Sequence, residues 1–427
     1  MLIFASPGQG AQTPGFLSPW LDIPGIADQL GAWSELAGRD LIRLGTTGSA
    51  EEITDTAVAQ PLLVAAALAV AGLLGEPDAA AGHSVGELAA GAIAGVLSPA
   101  DTIRLTRVRG EAMAAACGYR GVAQGGDGGT GSPPMRGGIP GGRPPGEIEP
   151  TGMTAVLGGD EAAVLAAIAE TGLTPANVNG AGQIVAGGTL EQLAEFAANP
   201  PAGARLRPLR VAGAFHTKHM APAVDALERA AAQTMVKDPA ITLLSNADGA
   251  VVTSGANWVE RIVNQVANPV RWDKCMETMS DIGVTAMIEL LPGGTLTGMA
   301  RRALPGVELL ALKTPDQLAT ARELVGAHAT ATNGYQAASV GHLAEWKIVV
   351  APGGGTFRSG AEEAAAAATS AGETVSAGAV LGRVVARGGE RPVTAQFDAV
   401  LVEWLVEDGD PVSEGQPLVR LEPKENP

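Results

Sequence analysis

The chain has 427 residues, more than a single hydrophobic core ordinarily serves, so two or three domains are expected. Hydrophobic residues make up 46% and charged residues 17%, a globular composition that excludes a disordered chain. The formal net charge of -17 argues against nucleic acid or an anionic membrane surface as a general partner.

Aromatic residues are only 3%, so Ala, Val, Leu and Ile must fill the cores. The two cysteines, Cys117 and Cys275, sit in no C-x-x-C or Cys/His cluster, which fits a reducing compartment with no disulfide framework and no metal site. MLIFASPGQG at the N-terminus has an apolar run too short for a signal peptide. The longest apolar stretch, LLVAAALAVAGLL at 62–74, spans 13 residues, too few to cross a bilayer, and reads as a buried helix. A cytoplasmic protein without membrane contact is expected.

LIFASPGQGAQ begins as a short strand and breaks into a Gly-rich turn. Helical patterns follow to Leu74, and AAAGHSVGELAAGAIAG reads as strand, turn and helix. Residues 101–117 have helical spacing, with Asp101 as the expected cap. This alternation predicts an α/β core built on a parallel sheet, over 1–117 and 206–325. Between these halves, GYRGVAQGGDGGTGSPPMRGGIPGGRPPGEIE at 118–149 has almost no apolar side chains and reads as a disordered insertion. Residues 150–205 then supply a strand from TGMTAVLGG, a helix and a second strand (GQIVAGG), the dimensions of a small α/β subdomain. Residues 326–345 read as a linker. In 346–424, ETVSAGAVLGRV at 373–384 repeats as DPVSEGQPLVRL at 410–421, predicting a small all-β sandwich with internal two-fold symmetry.

The chemistry starts from Gly82, Ser84 and Gly86, a G-x-S-x-G pentapeptide between a predicted strand and helix. In such a turn the backbone lifts the serine out of the sheet, making it an acyl nucleophile, and the next amide, that of Val85, points from a helix N-terminus at the oxyanion. Serine needs a base. Of the five histidines, His83 neighbours the serine but points elsewhere in this geometry, and His328 and His342 fall in the linker. His216 of GAFHTKHM, at the end of a predicted strand, is the strongest candidate and His219 the second. No acidic third member is evident, so a dyad is expected, its imidazole oriented by a backbone carbonyl.

PGQGAQ, GHSVGELAAG, RLTRVRGEAM, GAFHTKHM and QVANPVRW occur in an order and spacing that resemble the malonyl-CoA:acyl-carrier-protein transacylases of type II fatty acid synthesis, which are related to polyketide synthase acyltransferase domains. The resemblance covers about residues 1–117 and 150–315. It implies an α/β-hydrolase-like core with a small ferredoxin-like subdomain, and transfer of malonyl from malonyl-CoA to the phosphopantetheine thiol of acyl carrier protein. It also implies roles for individual residues. Ser84 matches the nucleophile, His216 the general base, and Gln9 and Val85 the oxyanion-hole amides. Arg109 matches the arginine that clamps the malonyl carboxylate, and Gln265 the residue whose carbonyl holds His216. Phe215 matches the malonyl pattern, where serine would suggest methylmalonyl. A planar guanidinium does suit bidentate carboxylate recognition, although Arg104 and Arg107 nearby show that a solvated helix face is the alternative.

Two departures stand out: the 32-residue insertion after Cys117, and continuation past the family's usual end near residue 320. The continuation resembles the biotinyl/lipoyl hammerhead domains, yet the hairpin VVARGGERPVTAQFDA that should carry the attachment lysine has none. Only Lys347 and Lys424 lie in that region, so no covalent biotin or lipoyl cofactor is expected. A monomer is expected. The competing expectation is a serine hydrolase or thioesterase, which shares G-x-S-x-G but not RVRG, GAFH or PVRW.

Overall fold

The computed structural model describes residues 1–118, 149–328, 347–359, 373–386, 389–406, 408–413 and 415–424. The chain divides into two compact units, Met1–Ala331 and Thr332–Pro427.

The first unit opens with β1 (Leu2–Ser6), α1 (Ile26–Ala37), α2 (Leu41–Thr47), α3 (Thr56–Ala71), β2 (Ala79–Gly82), α4 (Gly86–Ile93) and α5 (Pro99–Ala116). Next come β3 (Thr151–Gly158), α6 (Glu161–Glu170), β4 (Thr174–Gly180), β5 (Gln183–Thr189), α7 (Leu190–Ala198) and β6 (Ala204–Pro208). The chain continues through α8 (Ala221–Ala231), β7 (Thr242–Leu244), β8 (Val251–Val252), α9 (Gly255–Gln265), β9 (Val270–Arg271) and α10 (Trp272–Asp281). It ends with β10 (Ala286–Glu289), α11 (Thr295–Ala303), β11 (Glu308–Ala311) and α12 (Leu318–His328).

Six strands in the order β11-β10-β1-β2-β7-β8 make the main sheet. All its pairs are parallel except β7 with β8. Every residue of β1, β2 and β10 is buried, which is why these strands are apolar up to their last residues, Ser6 in β1 and Glu289 in β10, rather than alternating. The apolar stretch at 62–74 does form a buried helix: all sixteen residues of α3 are buried, and the hydrophobic face therefore runs all the way round. Its N-terminus is held by Asp55, which accepts from Ala57 N–H at 2.8 Å.

Asp101 is not the cap of α5. Ser98 is: its Oγ accepts from Asp101 N–H at 3.1 Å, with Pro99 following in the first helical turn, where its missing N–H is not needed. Asp101 lies in that first turn, where a negative charge is favoured by the helix dipole.

The small sheet has five strands, in the order β6-β3-β5-β4-β9, antiparallel except for β4 with β9. The two strands and one helix expected for this region are thus extended to a β-α-β-β-α-β run ending at Pro208, and the sheet's fifth strand, Val270–Arg271, is supplied later in the chain, after α9. β4 reads TPANVNG, whose proline and asparagines hide it from a propensity argument. Past the expected core boundary, α12 runs on to His328. Nearly all of the 118–149 insertion and the rest of the 326–345 linker lie outside the described residues.

The second unit holds β12 (Lys347–Val350), β13 (Gly355–Ser359), β14 (Thr374–Val375), β15 (Val380–Ala386), β16 (Gly389–Thr394), β17 (Ala399–Trp404), β18 (Pro411–Val412) and β19 (Pro417–Pro423). They form two four-stranded sheets, β12-β19-β17-β14 and β16-β15-β13-β18. The sequence repeat maps onto this arrangement: β14 and β15 lie in different sheets, and their repeats β18 and β19 lie in the opposite ones. Val375 and Val412 are both buried, as are Leu381 and Leu418. Arg383 and Arg420, also repeat mates, pair with Glu390 and Glu403.

Among the described residues no helix is long and apolar enough to cross a membrane, and no group of three or more His, Cys, Asp or Glu could hold a metal ion.

Candidate active site

β2 ends at Gly82 and α4 begins at Gly86, so the chain turns from strand to helix within His83, Ser84 and Val85. The turn is tight. A Cβ on Gly82 would stand 2.1 Å from the carbonyl of Gly86, and one on Gly86 would stand 2.1 Å from Ser6 O at the end of β1. Only glycine permits this approach. Ser84 itself takes a left-handed backbone, φ 52°. Among the described residues only three non-glycine positions have such a φ, and His216, at 59°, is another of them. Each left-handed residue of this kind stores on the order of 1–3 kcal/mol, held in place by the surrounding fold.

His216 does not end a strand. It lies eight residues beyond β6 in an irregular segment, pinned by its N–H to Val266 O at 3.1 Å. Its Nε2 is 2.8 Å from Ser84 Oγ, and its Nδ1 is 2.8 Å from Gln265 O. A carbonyl can only accept, so Nδ1 carries the proton and Nε2 accepts from the serine hydroxyl. No carboxylate enters this chain of bonds. His219 is half-buried on the following turn, and His83 faces away from Ser84, bonded through Nε2 to Asn179 Oδ1 at 2.8 Å and packed edge-on against Trp272.

Arg109 is 1% exposed, while the side chains of Arg104 and Arg107 are 57% and 44% exposed and pair with Asp101 and Glu111. Helical periodicity separates them: Arg109 shares the inner face of α5 with Leu105, Thr106 and Met113. Its Nη1 donates to Gln60 Oε1 at 2.8 Å, its Nη2 donates to Gln265 Oε1 at 2.6 Å, and Nη2 is 3.5 Å from Ser84 Oγ. Among the described residues no carboxylate pairs with it, and its Nε has no partner. Gln9 anchors its side chain on Thr54 O and Thr56 Oγ1. Neither the Gln9 nor the Val85 amide donates to an acceptor among the described residues.

Residues 24–136 match the acyl transferase domain family. The chain is 50% identical over 325 residues to the malonyl CoA-acyl carrier protein transacylase of Mycobacterium tuberculosis (strain H37Rv), covering 74% of this chain and 98% of the relative. The chain belongs to the malonyl-CoA:acyl-carrier-protein transacylase family. The corresponding protein of Escherichia coli K12 is 33% identical over 333 residues, with 75% and 98% covered. The crystal structure of the Mycobacterium tuberculosis protein superposes with a TM-score of 0.67 at 49% identity, covering 75% of this chain and 99% of that one. A malonyl-transacylase in complex with its type II PKS acyl-carrier protein matches with a TM-score of 0.65 at 29% identity, with 76% and 99% covered.

The electrostatics of this transacylase-family site follow from burial. His216 is pushed down to about 3, first by burial and then by the nearby Arg109 charge, so its Nε2 is a free base at neutral pH. Burial pulls Arg109 down to about 9, which leaves it charged at pH 7. Burial lifts Glu87, on the first turn of α4, to about 7.

Three residues of the site escaped the sequence reading. Gln60 is the one polar side chain reaching Arg109 from α3, and its signal was present: a lone amide in TAVAQPLLVAAALAVA. Glu87 follows the pentapeptide directly but reads as an ordinary acidic residue at a helix start. Asn246, whose Nδ2 donates to Gly82 O at 2.7 Å, carries no signal at all, because its place depends on where β7 meets β2.

Proposed function

We propose that this chain moves a malonyl group from malonyl-CoA to the phosphopantetheine thiol of an acyl carrier protein through a malonyl-serine intermediate. The observation that carries this reading is the buried Arg109, charged, without a carboxylate partner among the described residues, and 3.5 Å from Ser84 Oγ. A guanidinium so placed offers a fork to an acyl group that brings its own carboxylate, and an acetyl group would leave that charge unpaired.

In this mechanism Ser84 Oγ attacks the thioester carbon while its proton passes to His216 Nε2. The N–H groups of Gln9 and Val85 hold the oxyanion. The C–S bond breaks, and the coenzyme A sulfur leaves with the proton from His216. The carrier thiol then gives its proton to Nε2, attacks the malonyl-serine ester, and the proton returns to Ser84 Oγ. The malonyl carboxylate, by pairing with Arg109, offsets the charge that depresses His216 and so strengthens the base when the correct acyl group is bound. A cleft of about 720 Å³ is lined by Gln265 together with Pro175, Val178, Asn268 and Arg271, and approaches the site through Gln265 rather than through Ser84.

We further read the main sheet as an α/β-hydrolase-like core, the β-α-β-β-α-β unit as a ferredoxin-like subdomain, and the second unit as a biotinyl/lipoyl-like sandwich without an attachment lysine. The protein acts as a cytoplasmic monomer without a bound cofactor. Hydrolysis is the weaker reading, because a thioesterase has no need of an unpaired buried cation beside its nucleophile.

The test is a pulse and chase. Malonyl-CoA should give an adduct of malonyl mass on the intact protein, absent in Ser84→Ala, and adding holo carrier protein should move it to the carrier. Release of free malonate at the same rate without the carrier would replace the transferase reading with the hydrolase one.

A further inference from the structure

Glu87 is an ionisable side chain of the site that the reaction above does not use. It is 1% exposed, three residues past Ser84. Its Oε2 accepts from Asn246 N–H at 3.0 Å and from Gln265 Nε2 at 3.1 Å; the Ser245 hydroxyl stands near the carboxylate and favours its charged form, while Oε1 makes no hydrogen bond of ordinary geometry among the described residues. A carboxylate buried with one empty oxygen is expensive to keep.

Gln265 shows what it is for. The Nε2 end of its amide faces three acceptors: Glu87 Oε2, Asn246 Oδ1 at 3.0 Å and Ser84 O at 3.1 Å. The Oε1 end accepts from Arg109 Nη2 at 2.6 Å. Turning the amide over would set its oxygen against three acceptors and its N–H groups against a guanidinium, with repulsion at both ends. Asn246 in turn is held by Gly82 O and by Glu87.

We propose that Glu87 is a positioning residue: its Oε2 locks the Gln265 carboxamide with Oε1 toward Arg109, and so aims the guanidinium that receives the acyl carboxylate. What Gln265 requires from Glu87 is an acceptor at this point in space rather than a charge. A proton on the unbonded Oε1, toward which burial already drives the group, leaves the bond from Gln265 intact. The proposal rests on Arg109 as the malonyl clamp.

Two polar variants separate position from charge. Glu87→Gln keeps an oxygen where Oε2 sits, places its NH2 at the unbonded Oε1 and removes the charge. Glu87→Asp keeps the charge and withdraws the acceptor by one methylene. Malonyl and acetyl transfer to holo carrier protein are measured side by side, with kcat and KM for each. Glu87→Gln should hold the malonyl-to-acetyl ratio of kcat/KM within about threefold of the parent. Glu87→Asp should lower it about tenfold or more, the usual scale of a lost hydrogen bond to a charged network, through a higher KM for malonyl-CoA. In an Arg109→Ala background Glu87→Asp should leave the ratio where Arg109→Ala alone puts it. The idea is overturned if Glu87→Gln loses as much as Glu87→Asp, if Glu87→Asp keeps the ratio, or if both acyl groups slow equally. Absence of malonyl transfer in the unsubstituted protein would instead count against the function itself.

Discussion

In the unit that ends at Ala331, Glu87, Arg109, His216, Asn246 and Gln265 are each 3% exposed or less. From Thr332 onward, no polar or charged residue among those described is buried to that degree: the shared core is Val349, Phe357, Leu381, Val384, Leu401, Leu418 and their apolar neighbours. Both units solve the same folding problem with Val, Leu and Ala, so stability alone does not call for the first unit's polar interior. A buried polar atom left without a partner costs about 1–3 kcal/mol, and the site holds two, Arg109 Nε and Glu87 Oε1. Arg383 of the second unit also carries buried nitrogens without a hydrogen-bond partner, so what distinguishes the first unit is its cluster of five buried polar side chains rather than unpartnered atoms as such.

The comparison breaks most readily at His216. His216→Ala should lower malonyl transfer by roughly 10² to 10⁴, the usual contribution of a positioned base, with an unchanged circular dichroism spectrum. His219→Ala should stay near the parent rate; if it were the more damaging of the two, the base would have to be reassigned.

Arg109→Ala comes next. Malonyl transfer should fall on the order of 10² relative to acetyl transfer, because the bidentate partner of the carboxylate is gone. The same variant carries a pH signature. Burial and, after it, the Arg109 charge hold His216 down, so in the parent kcat/KM for acetyl transfer should stay flat as pH falls from about 8 to about 5, and the base should be lost only on approaching the depressed value. Removing the cation raises the pKa of His216, and the acid limb should move to higher pH. A limb that stayed in place would show that the Arg109 charge does not reach the imidazole.

The smallest effect is expected from removing the second unit. A chain ended after residue 331 should keep its transfer rate within about twofold, since every residue of the site lies in the first unit. The intact mass of the native protein should show no biotin or lipoyl increment. A collapse of turnover on truncation would move the second unit from accessory to essential.

Much of the architecture could be read directly. The unbroken apolar runs of β1 and β2, the wholly buried α3 and the pentapeptide between strand and helix are local patterns, and short-range sterics and solvent exclusion decide them. The repeat of the last eighty or so residues is legible for the same reason, since each copy carries its own hydrophobic spacing. Local rules failed at β4, whose Pro175 and Asn177 oppose strand propensity but whose neighbours β5 and β9 hold it in the sheet, and at Asp101, where Ser98 stands three residues earlier and caps first.

What the sequence determined by itself is the nucleophile's setting and the set of candidate partners. Which partner meets which was decided by tertiary structure. Ser84 and His216 are 132 positions apart, and Arg109 and Gln265 are 156 apart. No local propensity spans such distances; the order of strands in the main sheet does, by carrying the end of β2, the inner face of α5 and the last turn of α9 to one point. That convergence buries Arg109 while its neighbours Arg104 and Arg107 stay in water, and it forces left-handed backbone on Ser84 and His216. It also closes Glu87 and Asn246 around Gln265, because a buried amide must find its donors and acceptors within the fold, and only the assembled chain brings them within reach.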